Sequence, residues 1–497
     1  MKIFNISFFK KTSFIIKKNL NIIFLILLFI SIIFSFFTVE IFKLFYRDSI
    51  WLASYSYNYV TTGQLFDVLV REPGMPLTNG RLFNLLYGYV IVFFDSYLLP
   101  HRYLSFFLSI VALYLNYLIS IRLSFPKIVA ISSIFFLSLT EHFLLSAHIA
   151  RADMLSLVLV LFVIYLMIKE KQTTTLLITS GAIAAIGLGV HLSTQIVLFM
   201  LLFYEISKFN FVDVIKKYKF FLLGYLITLF FIIIHNFQYI EEYKKAFNFL
   251  DEYALKVTIS ERLTWFIDFA ANSRFYRWFF YPLLIFLLIF YYLVDDKDKK
   301  NKQVFYLFFG GLLGFLLLGR LNFHYLLIFF PFAYTYLLSQ VFIKKRILAI
   351  FFFIFSVFMF VGVQFYTVIK NNGANFNQYI ENIDSEIKIK PSTIIVGPDN
   401  LWFLYKNNKF YNYNARVDFI DLFENNTVVF ISNKISDSYI NEGKLFGKST
   451  GVDKLPLRFL DNFKKIAEIR DEYYGAFGIF GTGKNHVTTF YSNSENY

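Results

Sequence analysis

The chain has 497 residues, of which 57% are hydrophobic, 22% are aromatic and only 16% are charged. Its 68 Phe and 35 Tyr exclude an ordinary soluble enzyme and predict a polytopic α-helical membrane protein. A net charge of +14 would indicate nucleic acid in a soluble protein. Here cytoplasmic lysines and anionic lipids account for it, so membrane lipids are expected partners and nucleic acid is not. The absence of Cys excludes disulfides and thiolate metal sites.

Eleven apolar stretches are long enough to cross a membrane, and they define a transmembrane domain over residues 20–366. Residues 1–19 precede them as a short basic N-terminus. A twelfth candidate, residues 82–99, contains Asp95 and is flanked by charge. The eleven stretches lie near residues 20–45, 102–121, 128–147, 154–168, 175–190, 193–207, 220–237, 278–294, 304–319, 325–343 and 347–366.

The lysines indicate whether residues 82–99 cross the membrane. If they do not, the lysine-rich segments share one side and carry 18 Lys and 2 Arg, against 4 Lys and 9 Arg on the other side up to residue 366. If they do cross, every lysine cluster except the first moves outside, against the positive-inside rule. We therefore expect residues 82–99 to form a juxtamembrane or re-entrant helix. Residues 1–19 are then cytoplasmic, and the C-terminus lies outside a bacterial inner or plasma membrane.

The predicted outer segments are large. Residues 46–101 form the first outer loop, and residues 238–277 form a polar, amphipathic one. After residue 366 the apolar runs shorten to strand length, which predicts an extracytoplasmic α/β domain over residues 367–497. Strands are expected at "STIIVGPDN", "NKFYNYNA", "TVVFISNK" and "GAFGIFGTG", with a short helix at "LWFLYKN".

The stretch "HIARADMLSLVLVLF", residues 148–162, puts Arg151 and Asp153 at the outer mouth of the fourth span. A charge buried in that apolar run would cost roughly 2.5–3.5 kcal/mol. The outer cations are mostly Arg, whose planar guanidinium binds phosphate in a bidentate way, and this predicts a lipid-linked phosphate as ligand. The alternative is that single arginines pair with Asp or Glu, or snorkel to headgroups. The arginines concerned are Arg47, Arg71, Arg81, Arg102, Arg151 and Arg320.

Three further polar side chains near the predicted outer surface have more than one interpretation each, and a functional role is open for Asp95 besides the two given below. Asp48, just past the first span, can accept a proton from an attacking hydroxyl or amine, or ligate a divalent cation. Alternatively it is an interfacial charge that ends the span. His191 is either a helix-end histidine satisfied by its neighbours or a ligand. Asp95 pairs with a nearby Arg or faces an aqueous cavity.

Four short motifs follow one another along the membrane part. The first outer loop has Asp48, then Ala53 and Gly63, then a Pro-containing stretch before an amphipathic helix. "ARADML" at 150–155 has an Arg-x-Asp at the outer end of a helix, "GVHLSTQIVLF" at 189–199 has a histidine at a break between spans, and "GRLNFHYLLIFFPF" at 319–332 is an Arg- and Tyr-rich helix start. Together these motifs resemble the GT-C glycosyltransferases, in the branch of bacterial aminoarabinose transferases and protein O-mannosyltransferases (glycosyltransferase family 39-like). The resemblance covers roughly residues 20–345.

The chain also departs from that pattern. Ser49 follows Asp48 where many members have Glu, and Pro73-Gly74-Met75-Pro76 stands where they have Pro-Pro. The histidine break lacks its proline. These departures leave the type of acceptor and the metal dependence open.

The resemblance implies roles for individual residues. Asp48 is the general base, and Asp153 is a second catalytic carboxylate or helps to hold a cation. Glu72 is a metal or donor-orienting candidate, so a divalent cation at Asp48, Asp153 and Glu72 is an expected cofactor. The donor phosphate falls to Arg320, His324 and Tyr325, with Arg151 and Arg81 nearby, because arginine neutralises the charge of a leaving phosphate. No nucleotide is expected, since the chain has no P-loop and no Rossmann fingerprint.

The predicted function is a glycosyltransferase that moves a hexosyl or pentosyl group from a polyprenyl-phosphate donor. The acceptor is a cell-envelope lipid, glycan or protein on the outer face, and the displacement inverts the anomeric centre. The alternative is a transporter or flippase of a lipid-linked saccharide, in which ionisable groups at mid-membrane and symmetric broken helices are expected. An O-antigen ligase or polymerase ranks below both, because its large loop usually comes late in the chain.

Overall fold

A computed structural model describes most of the membrane part and the centre of the C-terminal part. The predicted spans near residues 278–294 and 347–366 lie outside the described residues, apart from a few helical positions of the second. The described residues are 6–39, 47–64, 66–67, 72–73, 80–96, 99–149, 151–169, 172–209, 211–241, 299–318, 323–344, 376–398, 401–411, 419–433, 463–471 and 486–495, with isolated residues between them.

The membrane part is a series of helices, with a minute hairpin of β1 (Phe66–Asp67) and β2 (Glu72–Pro73) in the first outer loop. Single 3-10 turns at Leu192–Gln195 and Phe323–Ile328 precede two of the helices. The helices are α1 (Ile6–Thr38), α2 (Arg47–Thr62), α3 (Arg81–Phe94), α4 (Leu99–Arg122), α5 (Lys127–Ser138), α6 (Glu141–His148), α7 (Asp153–Met167), α8 (Thr174–Leu188), α9 (Ile196–Ile206), α10 (Phe211–Asn236), α11 (Lys299–Leu318) and α12 (Phe330–Lys344).

These helices follow the predicted apolar stretches, with two differences. Helix α1 already begins at Ile6, inside the segment predicted as the cytoplasmic N-terminus. The stretch predicted as one span over 128–147 is α5 and α6, which are bent by 66° to one another. The bend arises because Thr140 starts a new helix, its hydroxyl accepting a hydrogen bond from the Phe143 N–H, as an N-cap does.

Among the described residues, three helical segments are long and apolar enough to cross a membrane: Leu20–Thr38, Leu99–Arg122 and Tyr218–Asn236. Taking the bent pair α5–α6 as one span makes four. Helices α7, α8 and the Leu192–Ile206 segment are apolar but shorter. The number of eleven spans therefore stays a prediction, while the apolar helices agree with a membrane protein.

The helices pack against one another through aromatic and aliphatic side chains, and in places backbone to backbone. At the crossing of α8 and α10, a Cβ added at Gly181 would lie 1.9 Å from the Phe221 carbonyl oxygen. One added at Gly224 would lie 2.1 Å from that of Ile178. Such close approach through small residues is typical of membrane helix pairs, where the lipid offers no hydrophobic drive for association.

Helix α3 is the described part of the segment that the sequence predicts not to cross. Its 14 residues span about 21 Å at the α-helical rise, less than the hydrocarbon thickness of about 30 Å. It ends at Asp95, which adopts the left-handed conformation with φ 44°. One face packs on the protein, and the other exposes an apolar row typical of a helix in the membrane interface. The exposed residues are Leu82, Leu86, Tyr89, Val92, Phe93 and Phe94.

The C-terminal unit, residues 376–497, is built on a mixed five-stranded sheet. The strand order is β4-β3-β5-β7-β6, in which β4, β3 and β5 are parallel and β7 runs antiparallel to both neighbours. Its elements are α13 (Phe376–Glu386), β3 (Ile394–Val396), β4 (Lys409–Tyr411), α14 (Phe419–Asn425), β5 (Val428–Asn433), β6 (Lys464–Asp471) and β7 (His486–Ser492).

Within this unit the sequence predictions differ from the structure in two ways, and a third prediction is not tested. The short helix expected at residues 401–407 is a run of hydrogen-bonded turns, such as Leu401 N–H to the Pro398 oxygen at 3.0 Å. Helices α13 and α14 and strands β6 and β7 were not expected. The strand predicted at 475–483 lies outside the described residues.

The α2–α3 hairpin docks on the C-terminal unit. Ala53 of α2 and Ile91 of α3 are buried in the same hydrophobic cluster as Trp402 and the strand residue Ile395. The Tyr57 ring lies 5.7 Å from that of Trp402, edge to face. Beside this cluster, Asp95 pairs with Lys406 rather than with an arginine, which corrects the partner expected from the sequence. The first outer loop and the C-terminal unit therefore lie on the same side of the helices.

Candidate functional site

Four chain segments meet at one end of the helices, and each brings a residue named from the sequence. Leu52 of α2 lies one helical turn after Asp48, Ala152 lies between Arg151 and Asp153, and Val190 precedes His191. Because residues four apart share a helix face, the position of Asp48 lies on the side of α2 that meets this cluster. The buried members of the cluster are Leu52, Phe83, Tyr87, Ala152 and Val190.

The loop before α3 is fixed to the end of α8 by backbone hydrogen bonds. Gly80 N–H donates to the Val190 oxygen at 2.8 Å, and Leu82 N–H donates to the Gly189 oxygen at 3.0 Å. A Cβ added at Gly80 would lie 1.9 Å from the Gly189 oxygen, so only glycine allows this approach. The contact holds the first outer loop directly beside the His191 segment.

Arg151 and Asp153 form an ion pair at the start of α7, with 2.8 Å between Nε and Oδ2. Both side chains are buried, with exposures of 7% and 6%. Asp153 also lies in the first turn of α7, where the helix dipole favours a negative charge. Of the two arrangements expected for Arg151, the pair with Asp153 is the one present. The charges therefore neutralise one another instead of meeting lipid.

A second layer of polar groups supports this pair from α3 and α4. The Tyr87 hydroxyl donates to the Arg151 carbonyl oxygen at 3.1 Å. His101 Nε2 lies 2.7 Å from the Tyr87 carbonyl oxygen, and the two rings are 4.5 Å apart. Tyr87 thus ties α3 to the start of α7. Nothing in the sequence identified this role, because Tyr87 is one of many tyrosines in an apolar stretch.

His191 and Tyr325 come together although 134 positions separate them in the chain. The His191 Nε2 and the Tyr325 hydroxyl oxygen are 3.0 Å apart, and both side chains are buried. On the other side of the ring, Nδ1 accepts a hydrogen bond from the Ser193 N–H at 3.1 Å and caps the 3-10 turn. His191 therefore satisfies a helix end, as one interpretation had it, and also contacts a residue expected to bind phosphate.

Two of the predicted outer arginines are held by neighbouring elements. The Arg81 Nη1 donates to the His235 carbonyl oxygen at 2.8 Å, and its Nε donates to the Tyr59 hydroxyl. Burial raises the pKa of Tyr59, with Arg81 pulling the pKa in the opposite direction, so Tyr59 stays a neutral phenol. Arg102 is almost fully buried and donates to the Val39 carbonyl oxygen at 3.1 Å, at the end of α1.

The remaining predicted residues are placed only in part. Asp48 lies in the first turn of α2 and Glu72 in strand β2, but their side chains are outside the described part of the chain. The same holds for the side chain of His324, which lies in the 3-10 turn just before Tyr325. Arg320 and Arg71 are not among the described residues, and the side chain of Arg47 is not described. The roles of all of them stay predictions.

The described residues contain no group of three His, Cys, Asp or Glu side chains that fits a metal ion. Asp153, one of the three predicted ligands, is already bonded to Arg151. A cationic neighbour competes with a metal ion for the same oxygen, so Asp153 does not fit the role of a ligand in this arrangement.

Comparisons with known proteins bear on the fold. Neither a protein-family model nor a curated protein sequence matches the chain. Among solved structures it is similar to ArnT from Cupriavidus metallidurans bound to undecaprenyl phosphate, with a TM-score of 0.59 and 9% identity over 95% of this chain and 98% of that one. ArnT is an aminoarabinose transferase with a GT-C fold. The chain has a GT-C fold.

Weaker likenesses involve the same fold. The apo state of the same ArnT gives a TM-score of 0.47 and 10% identity over 95% of this chain and 97% of that one. An oligosaccharyltransferase from Archaeoglobus fulgidus, in complex with Zn and sulfate, gives a TM-score of 0.47 and 9% identity. This likeness covers 88% of this chain and 71% of that one. The structure of ArnT with undecaprenyl phosphate, at a TM-score of 0.59, confirms the GT-C fold predicted from the short motifs. At these identities the likeness concerns the fold alone.

Proposed function

We propose that the chain is a glycosyltransferase that uses a polyprenyl-phosphate-linked sugar and acts on the outer face of the membrane. The observation that carries the proposal is the convergence of four segments at one end of a GT-C fold. Two buried contacts lie beside it, the ion pair of Arg151 with Asp153 and the hydrogen bond between His191 and Tyr325. The likeness to ArnT bound to undecaprenyl phosphate supports a donor of this class. The acceptor is an envelope lipid, glycan or protein.

In the proposed reaction, an acceptor hydroxyl or amine attacks the anomeric carbon while Asp48 takes up its proton. The bond from the anomeric carbon to the acceptor forms as the bond to the phosphate oxygen breaks, so the configuration inverts. Polyprenyl phosphate leaves with the electron pair of that bond. Its growing negative charge is the main electrostatic demand of the step, which arginine and hydrogen-bond donors meet.

The donor phosphate is assigned to Arg320 and Tyr325, with His324 beside them. Arg151 has an indirect role in this site, in which it pairs with Asp153 and fixes its position. Arg81 also acts indirectly, by holding α3 against α10, and its contacts with His235 and Tyr59 support that role. Any divalent cation would fall to Asp48 and Glu72, since Asp153 is engaged by Arg151. We place this site and the C-terminal unit outside, which the docking of the first outer loop on that unit supports.

The donor assignment is tested at Arg320. Replacement with Ala should strongly reduce release of undecaprenyl phosphate from a lipid-linked sugar by the purified protein. Lys should restore only part of it, because an ammonium cannot bind phosphate in a bidentate way. Arg122, whose Nη1 donates to the Tyr165 carbonyl oxygen at 2.6 Å on the opposite side of the helices, gives the control Arg122→Lys. Equal release by wild type and Arg320→Ala would rule the assignment out.

A further inference from the structure

The hydrogen bonds of His191 fix which nitrogen carries its proton. A backbone N–H can only donate, so the Ser193 N–H at 3.1 Å requires a lone pair on Nδ1. The Ser193 hydroxyl, 2.7 Å from the same nitrogen, adds a second donor there. In the neutral ring the proton is then on Nε2, which donates to the Tyr325 oxygen at 3.0 Å.

This arrangement makes Tyr325 a hydrogen-bond donor of fixed direction. Its oxygen accepts from His191, so its own hydrogen must point away from the imidazole ring. Accepting one hydrogen bond also polarises the hydroxyl and strengthens the bond that it donates. A phosphate oxygen only accepts hydrogen bonds, so a tyrosine prepared in this way matches a phosphate and is less suited to a cation.

The cap of the 3-10 turn alone does not require histidine. Asn, Asp, Ser or Thr satisfies a helix start equally well, and each is a preferred capping residue. Histidine differs because it carries a second polar atom on the opposite edge of its ring. Here that second nitrogen, Nε2, is hydrogen-bonded to the hydroxyl of Tyr325. Both side chains are buried, with exposures of 9% for His191 and 7% for Tyr325.

We propose that His191 is a positioning residue that holds the Tyr325 hydroxyl as a donor to the phosphate of the polyprenyl donor. The proposal rests on the proposed function and adds to it the residue that orients one of the phosphate contacts. His191 itself does not touch the phosphate. It acts through Tyr325.

Two amide substitutions separate the two edges of the ring. In His191→Asn the amide oxygen lies near the place of Nδ1, so the cap is kept and the bond to Tyr325 is lost. In His191→Gln the longer side chain brings its amide NH2 near the place of Nε2, so the donor to Tyr325 is kept. Binding of undecaprenyl phosphate to the full chain in detergent is measured for wild type and both variants, with the unfolding temperature of each as a control on the fold.

We expect His191→Asn to weaken binding of undecaprenyl phosphate by roughly tenfold, as loss of one hydrogen bond to a charged group does. His191→Gln should bind within about threefold of wild type, well under the effect of one such bond. In the Tyr325→Phe background, where the hydroxyl is gone, His191→Asn should cause no further loss. The proposal would be overturned if His191→Asn bound undecaprenyl phosphate as wild type does while His191→Gln bound it weakly. His191 would then only cap the 3-10 turn.

Two other outcomes are also decisive. An equal loss from His191→Asn with and without the Tyr325 hydroxyl would show that His191 does not act through Tyr325, and would overturn the proposal while leaving the proposed function intact. Failure of wild type itself to bind undecaprenyl phosphate would instead remove the proposed function, and the inference with it.

Discussion

At the scale of single residues, the buried pair of Arg151 and Asp153 is the feature with the clearest energetic consequence. Both charges have left water, and they pair with one another at 2.8 Å. Removing one member of such a buried pair takes this counter-charge from the other, whereas replacing both by neutral groups avoids that cost. Single and double variants can therefore distinguish the contribution of the pair to stability from its contribution to sugar transfer.

The variant Asp153→Asn should lower stability by about 3–5 kcal/mol, because a buried ion pair loses one of its two charges. The double variant Arg151→Gln/Asp153→Asn should recover most of that stability but stay impaired in sugar transfer. Thermal unfolding in detergent gives the first quantity, and release of undecaprenyl phosphate gives the second. If the double variant transferred sugar as wild type does, the pair would have only a structural role, which is to fix the start of α7.

Residue-scale contacts were predictable only where the partners are close in sequence. Arg151 and Asp153 are two positions apart, and their pairing was one of two arrangements that the sequence allowed. His191 and Tyr325 each stood in a recognised motif, but spacing carries no information about a contact over 134 positions. Tyr87 and His101 gave no signal, since their function depends on which helix faces which.

At the scale of elements, the α2–α3 hairpin links the candidate site to the C-terminal unit. The start of α2 lies at the site, while Tyr57 near its other end contacts Trp402 and Phe403, with ring centroids 5.7 and 5.9 Å apart. The ion pair of Asp95 with Lys406 lies at the edge, where Asp95 is 80% exposed. Aromatic burial should therefore hold the two parts together more than charge does.

Trp402→Ala should cost about 3–5 kcal/mol, because a fully buried aromatic side chain leaves a large cavity. Lys406→Ala should cost less than about 1 kcal/mol, as expected for a pair whose carboxylate is exposed to solvent. Unfolding temperatures of the two variants, with Lys409→Ala as a surface control, give the comparison. A loss at Lys406 equal to that at Trp402 would mean that the ion pair, and not the aromatic contact, holds the hairpin.

The elements of the C-terminal unit show why part of the fold escaped the sequence. Strands β3, β4 and β5 are apolar runs between turn residues, and all three were expected. Strand β6, "KKIAEIRD", is rich in charge, and pairing with β7 overrides that local preference. Helix α13 does carry Tyr379, Ile380 and Ile383 at helical spacing, but its polar remainder, "FNQYIENIDSE", concealed the pattern.

At the scale of the whole molecule, contacts at the two ends agree with the grouping of segments expected from the lysines, while the end that faces the cytoplasm stays a prediction. Lys300 Nζ lies 3.5 Å from the Ser124 carbonyl oxygen, which joins two of the lysine-rich segments. At the other end Asp95 meets Lys406. The GT-C fold was predictable because short motifs recurred in the right order. The number of spans stays a prediction, because apolar length alone does not distinguish bent or short helices from crossing ones.

The chain has no Cys, so single cysteines report sidedness without background. A cysteine at Ser438 or Ser449, both in the C-terminal part, should react with a membrane-impermeant thiol reagent on intact cells or spheroplasts. A cysteine at Ser13, in the N-terminal segment, should react only after permeabilisation. The reverse result, with Ser13 labelled on intact cells and the C-terminal positions only after permeabilisation, would overturn the predicted topology. The C-terminal unit and the first outer loop would then lie in the cytoplasm, against the positive-inside rule.

The central claim is that the site at the outer end of the helices breaks the bond between a sugar and a polyprenyl phosphate. Its most direct measurement is release of undecaprenyl phosphate from an undecaprenyl-phosphate-linked sugar by the reconstituted chain, with envelope extract from cells lacking the gene as acceptor. Wild type should release it, and Asp48→Asn should do so at least about a hundredfold more slowly, as loss of a general base does. Movement of the intact donor across the membrane without release, unchanged in Asp48→Asn, would contradict the account and favour a flippase.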